Sequence, residues 1–227
     1  MSYDYMPVSI TLTDRPVLVI GGGAVALRKI EAIMEYGARV TVVAPEVQDK
    51  ITYFGESNKI TLHQRNYQSP EAGEYHMIIC ASDDMDVNRQ ASDDARAAGR
   101  LVNAVDAPAL CDVIFPAVIR RDCLTAAIST DGKVPFMAGH IRKILEDIFP
   151  SHWNKLMKQA AKFRKMVQER WPDNKHQKTV CFAQFLEADW QNLLKEKDKS
   201  IVEAELEKML QPREENTTDS PPTNEYE

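Results

Sequence analysis

The chain has 227 residues, 44% of them hydrophobic and 27% charged, which is ordinary for a soluble globular protein. Its formal net charge of -6 argues against nucleic acid as a partner, and no segment has the long uncharged apolar run of a membrane span. No Lys or Arg precedes Arg15, so the sequence predicts no targeting segment and a cytoplasmic protein. The four cysteines are widely spaced and indicate neither a disulfide framework nor a zinc site.

The first predicted elements surround a glycine-rich turn. Four apolar residues, Val17–Ile20, run into three glycines, and a segment of helical periodicity follows from Ala24 to Tyr36. Gly21, Gly23 and Ala26 fill the pattern G-x-G-x-x-G/A, in which glycines allow a tight turn and a close approach of pyrophosphate. The order strand, glycine turn, helix therefore predicts dinucleotide binding, against a plain strand-to-helix turn.

Strands and helices alternate over the first hundred or so residues, which predicts a Rossmann-like, doubly wound parallel sheet. A helix capped by Asp83 or Asp84 and stopped by Gly99 is predicted between the last two strands. The second to fifth strands are predicted at Arg39–Val43, Ile60–Asn66, His76–Ser82 and Leu101–Asp106.

The pattern changes after these strands. Val113–Ile119 and Leu124–Ser129 are predicted to form a hairpin with its turn at Arg120-Arg121-Asp122, and a helix is predicted at Pro135–Ile148. This stretch is too small for a core of its own, so we expect it to pack on the first domain or on a second subunit. The chain then reads as helical to about Leu210.

These features predict an α/β chain of four parts. The parts are a dinucleotide-binding domain at 1–112, a small α+β module at 113–150, a C-terminal helical domain at 151–211, and an acidic, proline-containing tail at 212–227 that we expect to be disordered.

Three groups of residues are candidates for chemistry. Asp106 follows a predicted strand, as Gly21 and Ser82 do, and could take a proton near a nicotinamide ring or simply make a turn before Ala107-Pro108. Ser129 and Thr130 belong to a loop that suits either an anion or a helix cap. The third group is either a polyanion site or a solvated face, and it contains Arg120, Arg121, Lys133, His140, Arg142 and Lys143.

The acidic residue that usually binds the ribose of NAD is missing from its ordinary place. About twenty residues after the glycines the chain reads Val43-Ala44-Pro45-Glu46, so Glu46 falls slightly late. No Arg stands there to accept a 2′-phosphate, and the sequence favours NAD over NADP. The histidines show no ligand spacing with cysteines or acids, so no protein metal site is predicted.

Six motifs in register resemble one family, the N-terminal module of siroheme synthase, which is precorrin-2 dehydrogenase and often also sirohydrochlorin ferrochelatase. The resemblance covers about Pro7 to Leu210. The motifs are GGGAVALRK, VVAP, ICASDDMDVN, LVNAVDAP, IFPAVIRR and ISTDGKVP.

The resemblance implies NAD-dependent oxidation of precorrin-2 to sirohydrochlorin by a homodimer, with Fe(II) as a further substrate in bifunctional members. The family's essential aspartate falls on Asp106, within the motif that runs from Asn103 to Pro108. A serine phosphorylated in some relatives aligns with Thr130, although this chain lacks the family's S-S-G-G sequence there. The dinucleotide contacts expected from the residues and the resemblance together are Gly21, Gly22, Gly23, Ala24, Val25, Pro45, Glu46 and Ser82.

The remaining site predictions concern the substrate, which carries eight carboxylates and so gives the basic residues a ligand. The predicted substrate contacts are Arg120, Ser129, Thr130, His140 and Arg142. Two rival functions stay open. One is a dinucleotide-sensing regulatory module without catalysis, and the other is a dehydrogenase of another small acid, which would normally need a larger catalytic domain.

Overall fold

The computed structural model describes residues 4–195 and 199–212. Contacts along the chain divide it into two units, one made of residues up to 116 with 129–135, the other of 117–128 with the residues from 136 onward. The finer boundaries at 112, 150 and 211 stay a prediction.

The first unit is built on a parallel sheet of five strands in the order β3-β2-β1-β4-β5. This is the predicted doubly wound, Rossmann-like arrangement, which is confirmed. The strands are β1 (Pro16–Ile20), β2 (Arg39–Val43), β3 (Thr61–His63), β4 (Met77–Cys80) and β5 (Leu101–Ala104).

The apolar run of β1 makes it the centre of the sheet. Val17 and Val19 belong to the hydrophobic cluster on one face of the sheet, and Leu18 and Ile20 belong to the cluster on the other. All four are at most 2% exposed. A strand that is apolar at consecutive positions must be covered on both faces, so helices are required on each side.

Helices cover both faces of the sheet, as a doubly wound arrangement requires. Helices α1 (Ala24–Met34) and α2 (Asp49–Glu56) bury residues such as Ile30 and Phe54 in the first cluster. Helix α3 (Met85–Ala97) buries Ala91 and Ala95 in the second. Because these alanines are small, the axis of α3 can lie close to the sheet.

Several predicted boundaries are wrong by a few residues. Helix α1 ends at Met34 rather than Tyr36, and β3 keeps only three residues of the predicted Ile60–Asn66. Strands β4 and β5 end at Cys80 and Ala104, each two residues before the predicted end. Helix α2 was not predicted at all.

The second unit begins with the antiparallel hairpin of β6 (Ala117–Arg121) and β7 (Leu124–Ile128). The predicted turn is wrong, because Arg120 and Arg121 lie within β6. The turn is made by Asp122 and Cys123, and Asp122 adopts a φ of 56°. A two-residue hairpin loop requires such positive φ values, which aspartate tolerates better than arginine.

Helices form the rest of this unit. Helix α4 has the predicted bounds, Pro135–Ile148, and α5 ends before the predicted stop at Trp171-Pro172. Phe163 and Phe185 stack in the core with ring centroids 5.1 Å apart. The remaining helices are α5 (Trp153–Arg170), α6 (Lys175–Glu187), α7 (Trp190–Leu193) and α8 (Lys199–Met209).

The tail expected to be disordered lies, apart from Pro212, outside the described residues. Among the residues that are described, none of the helices combines the length and apolar character that crossing a membrane would require.

The cap of α3 provides a test of the fold. Asp84 accepts hydrogen bonds from the backbone N–H groups of Asp86 and Val87, whereas the exposed Asp83 is not the cap. We expect Asp84→Ala to lower the free energy of unfolding by about 1 kcal/mol and Asp83→Ala to leave it unchanged. Urea unfolding followed by circular dichroism measures both, and equal effects of the two variants would contradict the assignment.

Candidate active site at the carboxyl edge of the sheet

The candidate dinucleotide site lies where the strand order reverses. From β1 the chain moves to β2 on one side, and it later returns to β4 on the other side of β1. The loops after β1 and β4 therefore diverge at this edge and leave a crevice, which is where open α/β sheets bind ligands. Gly21 and Ser82 belong to these two loops, as predicted from the strand ends.

Gly21 and Gly22 pack against backbone. Gly21 has a φ of 122°, and a Cβ placed on it would lie 2.2 Å from the Ala81 carbonyl oxygen. A Cβ on Gly22 would lie 2.0 Å from the carbonyl oxygen of Glu46. Both contacts are too close for any side chain, so the two glycines let the loops after β1, β2 and β4 approach one another.

Gly23 differs from its neighbours because a Cβ placed on it would meet nothing within 4 Å. It is exposed and immediately precedes α1, where its carbonyl accepts the first helical bond, from the N–H of Leu27 at 3.0 Å. Packing within the protein therefore does not require glycine at this position. The absence of a side chain instead keeps open the approach to the first turn of α1.

The first turn of α1 suits a pyrophosphate. Its N–H groups have no acceptor within the helix, Gly23 supplies no side-chain cap, and no acidic residue lies in the turn. By contrast, α2 and α3 carry Asp49 and Asp86 in their first turns, and α3 is capped by its own Asp84. Of these three helices, α1 is therefore the one whose partial positive charge at the start, at Ala24 and Val25, is least compensated. These residues fit the phosphates of a dinucleotide.

The loop after β2 lies against the glycine turn. The backbone N–H of Gln48 donates to the carbonyl of Gly22 at 3.0 Å, and Pro45 and Glu46 are exposed beside it. Ala44, directly after β2, is buried at 3% exposure. Buried alanine thus occupies the place where a ribose-binding acid usually follows the strand, and Glu46 is the acid nearest to it in sequence.

The turn after β4 is held by a residue that the sequence did not indicate. Asn88, 1% exposed on α3, accepts a hydrogen bond from the Ser82 N–H at 3.2 Å and donates to the Ser82 carbonyl at 2.8 Å. The Ser82 hydroxyl accepts from the N–H of Asp84 at 3.1 Å. The one signal for this role in the sequence is that Asn88 falls on the predicted inward face of α3, where an apolar side chain is usual.

Asp106 stands on the same edge, just beyond β5. The N–H of Val105 still donates to the Cys80 carbonyl at 2.9 Å, so the sheet extends almost to Asp106 itself. Asp106 is exposed and has a φ of 56°, in the left-handed region. This conformation costs free energy for a residue other than glycine, although aspartate tolerates it best together with asparagine. The carboxylate is therefore exposed at this edge of the sheet, on a backbone in the left-handed conformation.

The predicted anion loop makes a local turn. The hydroxyl oxygen of Ser129 accepts from the N–H of Asp131 at 3.2 Å, and that of Thr130 accepts from Val134 at 3.3 Å. Lys133 pairs with Asp4 at 2.5 Å, and this bond raises the pKa of the lysine. Because each hydroxyl acts here as an acceptor, its proton can still be donated to an anion.

The predicted basic contacts lie in the second unit. Arg120 is on β6, and His140 and Arg142 are on α4. Arg142 donates to Glu146 at 2.8 Å, one turn further along the helix. Side chains two residues apart on a helix point about 200° apart, so His140 and Arg142 do not form one face. A substrate role for these three residues stays a prediction.

Among the described residues, no cluster of three or more His, Cys, Asp or Glu side chains could hold a metal ion. The cysteines are free thiols, and burial raises the pKa of Cys80 to about 11.

Comparison with known proteins agrees with this geometry. Residues 8–117 match a family model described as putative NAD(P)-binding. The chain is 38% identical over 210 residues to a siroheme synthase of Pseudomonas paraeruginosa (strain DSM 24068 / PA7), which covers 92% of this chain and 44% of that protein. A siroheme synthase of Ectopseudomonas mendocina (strain ymp) is 41% identical over 169 residues, with 74% of this chain and 36% of that protein covered. The chain thus spans less than half the length of these relatives.

A solved structure has the same fold. It is that of SirC, a precorrin-2 dehydrogenase, with a TM-score of 0.71, 24% sequence identity, and coverage of 90% of this chain and 100% of that one. The family resemblance read from the six motifs is confirmed by the matches along 92% of the chain. The chain belongs to the siroheme synthase family over the module that it shares with those proteins.

Proposed function

We propose that the chain oxidises precorrin-2 to sirohydrochlorin with NAD as the hydride acceptor. The observation that carries the proposal is the placement of an open glycine turn and of Asp106 along one edge of the sheet, in a chain 38% identical to siroheme synthase. The name of the structural relative, precorrin-2 dehydrogenase, points to the same reaction.

The chain's own residues would divide the work of binding between backbone and side chains. The N–H groups at the start of α1 would hold the pyrophosphate, and Glu46 would disfavour a 2′-phosphate by repulsion, which selects NAD over NADP. When bound, the nicotinamide accepts a hydride. Ser82 and its Asn88 brace would border the cofactor along the loop after β4.

Asp106 would act as the base. The oxidation removes two electrons and two protons from the macrocycle, one proton leaving with the electron pair as hydride and the other going to a base. A carboxylate held beyond the end of β5 is the acceptor that this edge offers for the second proton. The hydroxyls of Ser129 and Thr130 would donate to a carboxylate of the substrate. Arg120, His140 and Arg142 stay the predicted partners of its other carboxylates, although His140 and Arg142 do not share a face of α4.

The proposal extends to assembly and to iron. We propose that the protein is a cytoplasmic homodimer. We also propose that it inserts Fe(II), as a second substrate, to give siroheme, because the relatives that match 92% of the chain are named for that product. No protein metal site is needed for the second reaction, since the macrocycle itself holds the metal.

Anaerobic turnover tests the function. Precorrin-2 generated enzymatically is mixed with the protein and NAD, then with Fe(II), while absorbance is recorded. We expect NAD-dependent formation of sirohydrochlorin, followed by iron insertion faster than without protein. Insertion at the background rate would leave a dehydrogenase that depends on a separate chelatase. Binding of NAD with no turnover would replace the proposal by a dinucleotide-sensing module.

The glycine turn yields a second test. We expect Gly23→Ala to keep the wild-type melting temperature, because the methyl group meets open space, and to weaken NADH binding tenfold or more, because it obstructs the phosphates. Gly22→Ala should instead lower the melting temperature, since its methyl group collides with the Glu46 carbonyl. Nicotinamide fluorescence and calorimetry measure the two effects. Gly139→Ala adds a methyl in equally open space inside α4. It should leave NADH affinity unchanged and should not lower the melting temperature, because alanine favours helix more than glycine does. Wild-type affinity in Gly23→Ala would refute this phosphate site.

Asp106→Asn tests the base. Asparagine tolerates the same left-handed backbone, so the variant removes the charge while keeping the turn. We expect the rate of precorrin-2 oxidation to fall about 100-fold with NADH affinity unchanged. Asp122→Asn is the matched control, because Asp122 has the same φ of 56° in the hairpin turn, and it should keep the wild-type rate. Full turnover by Asp106→Asn would remove Asp106 from the mechanism.

A further inference from the structure

Asp106 sits on a short loop that leaves β5 and comes back to it. We call residues 105–111 the Asp106 loop. Its returning end is joined to β5 by hydrogen bonds from the N–H groups of Asp112 and Val113 to the Val102 carbonyl, at 2.8 and 3.1 Å. The Asn103 side chain donates to the Val113 carbonyl at 2.9 Å. These bonds fix the base of the loop, but they do not reach the part that carries Asp106.

Residues 104–107, at the start of the Asp106 loop, form the turn around Asp106. The thiol of Cys111 lies against both ends of this turn. Its Sγ accepts from the N–H of Ala104 at 3.2 Å and is 3.1 Å from the Ala104 carbonyl oxygen. The same Sγ lies 3.6 Å from the carbonyl oxygen of Ala107. One side chain therefore touches the residue two before Asp106 and the residue directly after it.

The thiol is in the right protonation state for these contacts. Burial raises the pKa of Cys111, so the group keeps its proton at neutral pH and can donate to one of the two carbonyls while it accepts from the amide. A thiolate would accept from Ala104 but would repel both carbonyl oxygens.

The backbone bond within the turn is weak by comparison. The N–H of Ala107 reaches the Ala104 carbonyl at 3.4 Å, near the limit for a hydrogen bond. A turn with a long internal bond and a residue at a φ of 56° needs support from outside itself. The Cys111 thiol is placed to give it.

We propose that Cys111 is a positioning residue, whose thiol holds the turn around Asp106 in the conformation that presents its carboxylate. The expected effect on kinetics rests on the proposed function, whereas the support that Cys111 gives to the turn can be measured without turnover.

Amide hydrogen exchange in the whole chain tests the brace. We expect Cys111→Ala to raise amide exchange at Ala104 and Ala107 about tenfold. The Ala104 N–H loses its acceptor, and the Ala107 N–H belongs to the turn that loses its support. Cys111→Ser keeps a donor and an acceptor at nearly the same place and should stay within about threefold of wild type. Cys123→Ala, which removes an exposed thiol in the hairpin turn, is the control and should change neither amide. Unchanged exchange in Cys111→Ala would overturn the brace.

Kinetics then tests whether the brace acts through Asp106. We expect Cys111→Ala to lower kcat for precorrin-2 oxidation about tenfold with KM for NAD unchanged, and Cys111→Ser to restore most of the loss. In single turnovers with enzyme in excess, Cys111→Ala should have no further effect once Asp106→Asn is present. An equal loss in both backgrounds would overturn positioning and leave a general structural role.

The two proposals can fail separately. Absence of precorrin-2 turnover in the wild-type protein would refute the proposed function and with it the kinetic role of Cys111. The exchange data would still decide whether the thiol holds the turn. Wild-type turnover together with a tenfold rise in exchange and an unchanged kcat would refute positioning alone.

Discussion

The candidate site depends on backbone packed directly against backbone at the end of β1. Gly21 lies against the carbonyl of Ala81, and Gly22 against that of Glu46, at distances that leave no room for a side chain. These two contacts bring the loops after β1, β2 and β4 together around the start of α1. Any side chain here would force the loops apart, so the constraint acts on the fold before it acts on a ligand.

The same packing leaves Gly23 as the one glycine of this turn that is free for the proposed ligand. Two of the three glycines are needed by the protein itself, and the third borders open space beside a helix start without an acidic residue. The neighbouring helices have their first turns compensated by Asp49 and Asp86. In the proposed site, the distribution of a few carboxylates among the first turns of α1, α2 and α3 would therefore direct an anion to α1.

Much of the fold could be predicted because the signals that mark its elements are local. Strand β2 is marked by its own valine-rich run, from Arg39 to Val43. Helix α4 is marked by the proline at its first position, Pro135. Helix α2 was missed because its eight residues include Thr52, Tyr53 and Gly55, which do not favour helix, and only Ile51 and Phe54 mark its buried face. Its helical form depends on packing against the sheet, which no local pattern reveals.

The site residues divide in the same way. The glycine turn has a sequence pattern with a known physical basis, so its position was predictable. Asn88 could not be found from the sequence, because its role arises from two hydrogen bonds to a turn six residues earlier in the chain. The hairpin turn was misplaced because the run of charges at Arg120-Arg121 looks like a loop, whereas strand pairing with Leu124 and Thr125 decides otherwise.

Asp106 shows why backbone conformation alone does not mark a functional residue. Asp14, Asp122 and Asp131 also have positive φ values, between 52° and 57°, and Asp122 forms an ordinary hairpin turn. Asp106 differs in its place, beyond a central sheet that extends through Val105, and in the thiol packed against its turn. Left-handed aspartates are common where the chain must turn. One becomes a candidate for chemistry when the fold fixes it at an edge where a ligand is already expected.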